Sequence, residues 1–176
     1  ALDVFPKALH ITFYDDIFYN NKVVEGLVKA HEAHPHSICA YYAHQPMVGT
    51  DGSLLPYQRW PHFVSEGRGL TPLVTGGAGA IYSRELLHTV VCRDDFGMRL
   101  CPYADDIWFY FMEVLQGTPV HIVPSRKRVC IPVDNIYQLT HSHSRLADDN
   151  CGASRNDTQL HAIMQHYGLT IDDLRI

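Results

Sequence analysis

Apolar and polar positions along this chain switch between two periods. Residues 8–13 are mostly apolar, and Ile11, Thr12 and Phe13 suit a pleated surface, so they read as a short buried strand. Val23, Val24, Leu27, Val28 and His31 then fall along one helical face, and Pro35 ends that helix near His34. Residues 37–42 read as a second strand parallel to the first, joined to it by a right-handed crossover. Residues 43–70 keep no period; Gly49, Asp51-Gly52 and Pro56 mark a long loop with a small hairpin at Asp51-Gly52. A glycine-rich turn over residues 76–79 feeds a strand at residues 80–82, and Ser83 is placed to cap a short helix through His88. Asp94 and Asp95 read as part of a polar loop. Ile107, Trp108, Phe111, Met112, Val114 and Leu115 recur at helical spacing, with Gly117 as the C-terminal cap. Residues 119–123 read as a third core strand. Leu160, Ile163, Met164 and Tyr167 form the stripe of a last helix that Asn156-Asp157 begins and Gly168 ends. This alternation predicts a single α/β domain over residues 1–176. It should have three layers, α/β/α, with a mainly parallel central sheet holding residues 8–13, 37–42 and 119–123.

Length and charge narrow the function. The 176 residues suffice for one domain with its own core, and 46% apolar with 19% charged residues is an ordinary globular balance. A net charge of −5 argues against a general nucleic-acid binder. No apolar run approaches the length of a membrane span, and residues 1–9 lack the basic-then-apolar pattern of a secretory leader. The five cysteines form no Cys-x-x-Cys pair, which fits a reduced, cytoplasmic setting. Residues 1–5 look like the tail of an element begun upstream.

Several stretches carry chemistry. Asp15 and Asp16 follow the first strand, at the edge where open α/β sheets hold their ligands. Two adjacent carboxylates there suit Mg²⁺ or Mn²⁺; equally, they can be a polar turn that caps a helix. Asp105 and Asp106 open a helix, where the dipole favours anions; one of them could also serve as a general base. Consecutive helical positions diverge by about 100°, so only one can aim at a substrate, and Asp106 is preferred. Tyr57, Arg59 and Trp60 mix aromatic faces with polar donors, so they can stack on a sugar or a base, or Trp60 can anchor the loop in the core. Gly76, Gly77 and Gly79 let backbone pass close to a ligand without matching a P-loop or a dinucleotide-binding spacing. His31, His34 and His36 lack a completed metal set and read as solvated. Residues 125–128 are a basic cluster that could meet a phosphate or sit in solvent.

Taken together, these pieces resemble a family. A strand leading to Ile-Thr-x-x-Asp-Asp-Ile-x-Tyr, a Gly-Gly-x-Gly segment, Cys-Pro-x-Ala-Asp-Asp-Ile-Trp-Phe before a helix, and a late Asn-Asp-x-Gln-Leu are similar to bacterial glycosyltransferases of the GT-A type, the family 2-like enzymes of surface-polysaccharide assembly. The resemblance runs from about Ala1 to Tyr167. It implies a nucleotide-diphosphate sugar donor, a saccharide or lipid-linked acceptor, and Mn²⁺ or Mg²⁺ on Asp16 with Asp15 beside it. It further implies a base at Asp105 or Asp106 and a third metal ligand from His141 or His143. A location in the cytoplasm follows, with peripheral association at a membrane face left open. Two departures stand out. Tyr14 replaces the first acid of the family's Asp-Asp-Asp, and the strand–helix region that normally holds the nucleoside base would lie upstream of Ala1. A non-catalytic sugar- or nucleotide-binding relative of the same fold is the alternative.

Overall fold

The computed structural model describes residues 1–62, 69–125, 129–132 and 154–176. Among these residues, eight short strands and four α-helices follow one another: β1 (His10–Thr12), β2 (Ile17–Tyr19), α1 (Val23–Ala33), β3 (Ile38–Ala40), β4 (Ala43–His44), β5 (Leu73–Val74), β6 (Ala80–Tyr82), α2 (Asp94–Leu100), α3 (Asp105–Gln116), β7 (Val120–Ile122), β8 (Cys130–Pro132) and α4 (Arg155–Tyr167). The segments expected to share a sheet do so. The central sheet has the order β1-β6-β3-β7.

This sheet is mixed rather than mainly parallel in its pairing. β6 lies between β1 and β3 and is antiparallel to both, while β3 and β7 are parallel. Three strands therefore share one direction, as expected of the first two, with β6 inserted between β1 and β3. The expectation missed this because periodicity identifies strands and says nothing of their neighbours.

Side-chain alternation builds two cores. Cys39 and Ile81 face α1, where they pack with Val23 and Leu27. Ile38, Ala40, Ala80 and Tyr82 point the other way, toward α3 and α4. Helices thus cover both faces of the sheet. α3 is buried nearly all round, because it lies between the sheet and α4; its Trp108 indole N–H donates to the Val91 carbonyl at 3.0 Å. Gly117 ends it in the left-handed region at φ 73°, the capping role its position indicated.

Local readings fared unevenly. The Asp51-Gly52 turn forms, with Val48 bridging Leu54 and Gly52 at φ 81°. Asp94 and Asp95 belong to α2 rather than to a loop, and the Asp95 carboxylate pairs with Arg93 at 3.0 Å. Ser83 makes no side-chain cap: only a 3₁₀ turn (Arg84–Leu86) follows it, and its buried hydroxyl has no partner among the described residues. Asp157 does not cap α4 but accepts a hydrogen bond from the Tyr57 N–H at 2.7 Å, tying α4 to the 43–62 excursion. His34 stacks on His121 of β7, ring centres 3.8 Å apart. Of the basic cluster, residues 126–128 lie outside the described residues. No helix among the described residues is long and apolar enough to cross a membrane.

Candidate active site

Because β6 runs against its neighbours, it begins at the edge where β1 ends. The turn after β1 and the glycine turn before β6 therefore meet. Thr12 donates its hydroxyl to the Gly76 carbonyl at 3.4 Å. Tyr19 donates to the Gly77 carbonyl at 2.8 Å and accepts from the Tyr14 N–H at 2.7 Å. The start of α3 reaches the same point. Asp106 accepts from the Gly76 N–H through Oδ1 at 2.9 Å and from the Tyr14 hydroxyl through Oδ2 at 3.3 Å.

Each glycine has a different duty. Gly76 supplies the N–H, and a Cβ there would stand 3.2 Å from Asp106 Oδ1. Gly77 lies under the Tyr14 ring, where a Cβ would come within 2.8 Å of Cε2. Gly79 faces Val23, Leu27 and Phe13, so its role is packing rather than the ligand contact expected of it.

A cleft of about 340 Å³ opens at this junction, lined among others by Tyr14, Tyr42, His44, Thr75, Gly77 and Asp106. Burial pushes the Asp106 carboxyl up to about 6, with Asp105 adding to the rise, while the Gly76 N–H and the Tyr14 hydroxyl oppose it. Burial, and then the charges of Asp106 and Asp105, hold the Tyr14 phenol well above its usual value, so it stays a proton donor. Burial lowers the His44 imidazole, which favours its neutral form. Asp105 is exposed, and its Oδ1 accepts from the Asp106 N–H at 3.0 Å. It dresses the helix start while Asp106 faces the cleft.

Other expected residues are placed less directly. Asp15 and Asp16 are exposed on the turn between β1 and β2, flanked by Tyr14 and Ile17, which line the cleft. Two hard carboxylates are the donor type that Mg²⁺ and Mn²⁺ prefer. No group of three metal-ligating side chains gathers among the described residues. His141 and His143 lie outside the described residues. Trp60 is a core anchor: it is 4% exposed and its indole N–H donates to the Leu55 carbonyl at 2.8 Å, which corrects its reading as a stacking platform. Tyr57 packs between Trp60 and His44, and Arg59 is exposed without lining the cleft.

The sequence reading missed Tyr42, His44, Thr75 and Tyr19. Tyr19 did have a legible signal, as the last residue of the Ile-Thr-x-x-Asp-Asp-Ile-x-Tyr stretch, but no role was attached to it. Glu113 was also passed over, although an acid amid Phe111, Met112 and Val114 breaks the apolar stripe. It is fully buried, and neither carboxylate oxygen has a hydrogen-bond partner among the described residues. Compared with protein-family models, with curated proteins and with solved structures, the chain matches none.

Proposed function

We propose that the cleft is the acceptor side of a glycosyltransferase site of the GT-A type, with Asp106 as its general base. The observation that carries this reading is the Asp106 carboxylate. It is fixed by a backbone N–H, partly buried, and pushed to about 6, close to the pH at which a base both stays ionised and takes protons efficiently. In the proposed step an acceptor hydroxyl oxygen attacks the anomeric carbon of a nucleotide-diphosphate sugar. The bond from that carbon to the phosphate oxygen breaks, its electron pair leaves with the diphosphate, and the hydroxyl proton passes to Asp106 Oδ2. Asp16 and Asp15 would hold Mn²⁺ or Mg²⁺, which supplies charge neutralisation to the leaving diphosphate. The rims provided by Tyr42 and His44 give an acceptor sugar an aromatic and a neutral hydrogen-bonding surface. The same-direction run of β1, β3 and β7 with helices on both faces supports the family reading of the fold.

The test is sugar transfer by the purified chain, supplied with Mn²⁺, a panel of nucleotide-diphosphate sugars and saccharide acceptors. Asp106→Asn should lower turnover by about 10²–10⁴-fold, the ordinary worth of a general base, and keep donor affinity by calorimetry. Equal turnover in Asp106→Asn overturns the assignment. The second reading, a binding module, is favoured by Tyr14 standing in place of an acid. Donor binding without turnover across the whole panel would establish it.

A further inference from the structure

Tyr14 is the position where this chain departs from the pattern it resembles, and its surroundings give that departure a use. Its ring lies against Gly77, at a spot where any larger residue would collide with it. Its backbone N–H is held by Tyr19, and Tyr19 in turn is held by the Gly77 carbonyl. The side chain is thus fixed at both ends before it reaches Asp106. There the carboxylate has two anchors: Gly76 takes Oδ1 from the backbone side, and the Tyr14 hydroxyl takes Oδ2 from the cleft side. An ionised carboxylate offers about four acceptor positions, so one donor on each oxygen fixes the plane of the group and leaves room for a further hydroxyl.

Building on the glycosyl-transfer reading above, we propose that Tyr14 is a positioning residue that orients the Asp106 carboxylate toward the acceptor hydroxyl. A donor on Oδ2 also stabilises the charged form against burial, which keeps the base ready at neutral pH. The contact length of 3.3 Å is long for a hydroxyl on a carboxylate. Among the described residues, the titratable groups that bear on Asp106 are Asp105 beside it, Glu113 two turns along α3, Cys101 just before α3, Tyr82 from β6, and Tyr14 itself. Only Tyr14 among these donates a hydrogen bond to it.

The experiment compares wild type, Tyr14→Phe and Gly77→Ala. Tyr14→Phe keeps the ring over Gly77 and removes the hydroxyl alone. Gly77→Ala keeps the hydroxyl and drives the ring from its seat. Two quantities are read. The first is the titration of the Asp106 carboxyl carbon by NMR, assigned with Asp106→Asn, which needs no activity. The second is the pH profile of kcat beside donor and acceptor KM. Both variants should raise the Asp106 midpoint by about one pH unit and lower kcat by about ten- to a hundred-fold, the worth of a hydrogen bond to a charged group. Donor KM should stay put. An unchanged Asp106 midpoint in Tyr14→Phe overturns the proposal, whatever the activity. A shifted midpoint with wild-type kcat overturns the catalytic part. If the wild type transfers no sugar, the glycosyl-transfer reading fails and the catalytic part falls with it. The NMR titration then still decides whether Tyr14 sets Asp106.

Discussion

Asp106 is ionised at neutral pH at a cost to folding. Its carboxyl sits near 6 in the fold against an ordinary 3.8, so below 3.8 the folded and unfolded chains bind the same proton and nothing is lost. Between those two values the folded chain holds a proton the unfolded chain has released, and stability falls as pH rises. The loss is complete above pH 6 and amounts to about 3 kcal/mol. Asp106→Asn should therefore be more stable than wild type in urea at pH 8 and nearly equal to it at pH 3.5, while its turnover drops. Glu113 repeats the sign on a larger scale. Burial, and then the charge of Asp106, hold its carboxyl well above the usual range. It finds no hydrogen-bond partner among the described residues to offset that burial. Glu113→Met, close in volume and apolar, should stabilise the chain by about 1–3 kcal/mol at neutral pH, the cost of an unsatisfied buried polar group. It should also flatten the fall in stability from pH 5 to pH 8. Equal urea midpoints for Glu113→Met and wild type at pH 8 would show that the acid finds a partner in solution.

At the level of elements, what was legible follows from what is local. α1, α3 and β7 announce themselves through period, a breaker or a cap, because those forces act within one or two turns of chain. α2 did not, since its polar first residues outweighed a short stripe of Phe96 and Leu100. The placement of β6 was out of reach: its pairing with β1 joins residues about seventy positions apart, and no local pattern encodes that. The site divides the same way. That one of Asp105 and Asp106 must face inward follows from helical geometry. That Tyr14 would meet Asp106 does not, because 92 residues separate them. Gly79 shows how an element depends on one backbone angle. It enters β6 at φ 99°, and a Cβ there would sit 3.3 Å from both Val23 and Leu27. Gly79→Ala should cost about 1–3 kcal/mol from the backbone angle alone, read as a lower urea midpoint with an unchanged slope. A loss under about 0.5 kcal/mol would mean that β6 can shift its entry.

Over the whole molecule, the C-terminal residues close the structure rather than trail from it. Leu174 is 1% exposed in the α3 core, and its carbonyl accepts from the Thr71 N–H at 2.7 Å just before β5. Leu174→Ala should cost about 2–5 kcal/mol as a core truncation. It should also speed hydrogen exchange at Thr71, a change absent if that end frays independently. The antiparallel insertion of β6 also sets an order in time. A nascent chain forms β1 and its acidic turn first, yet that turn finds its partners only after Gly76 and then Asp106 have been made and docked. Closing such long loops is slow to be rewarded, because chain entropy is spent before any contact returns it. The cleft therefore waits on contacts 64 and 92 residues apart along the chain. Weakening it through Tyr14 should hasten unfolding and leave the refolding rate alone, so the chain can reach its compact state with the chemistry still unbuilt.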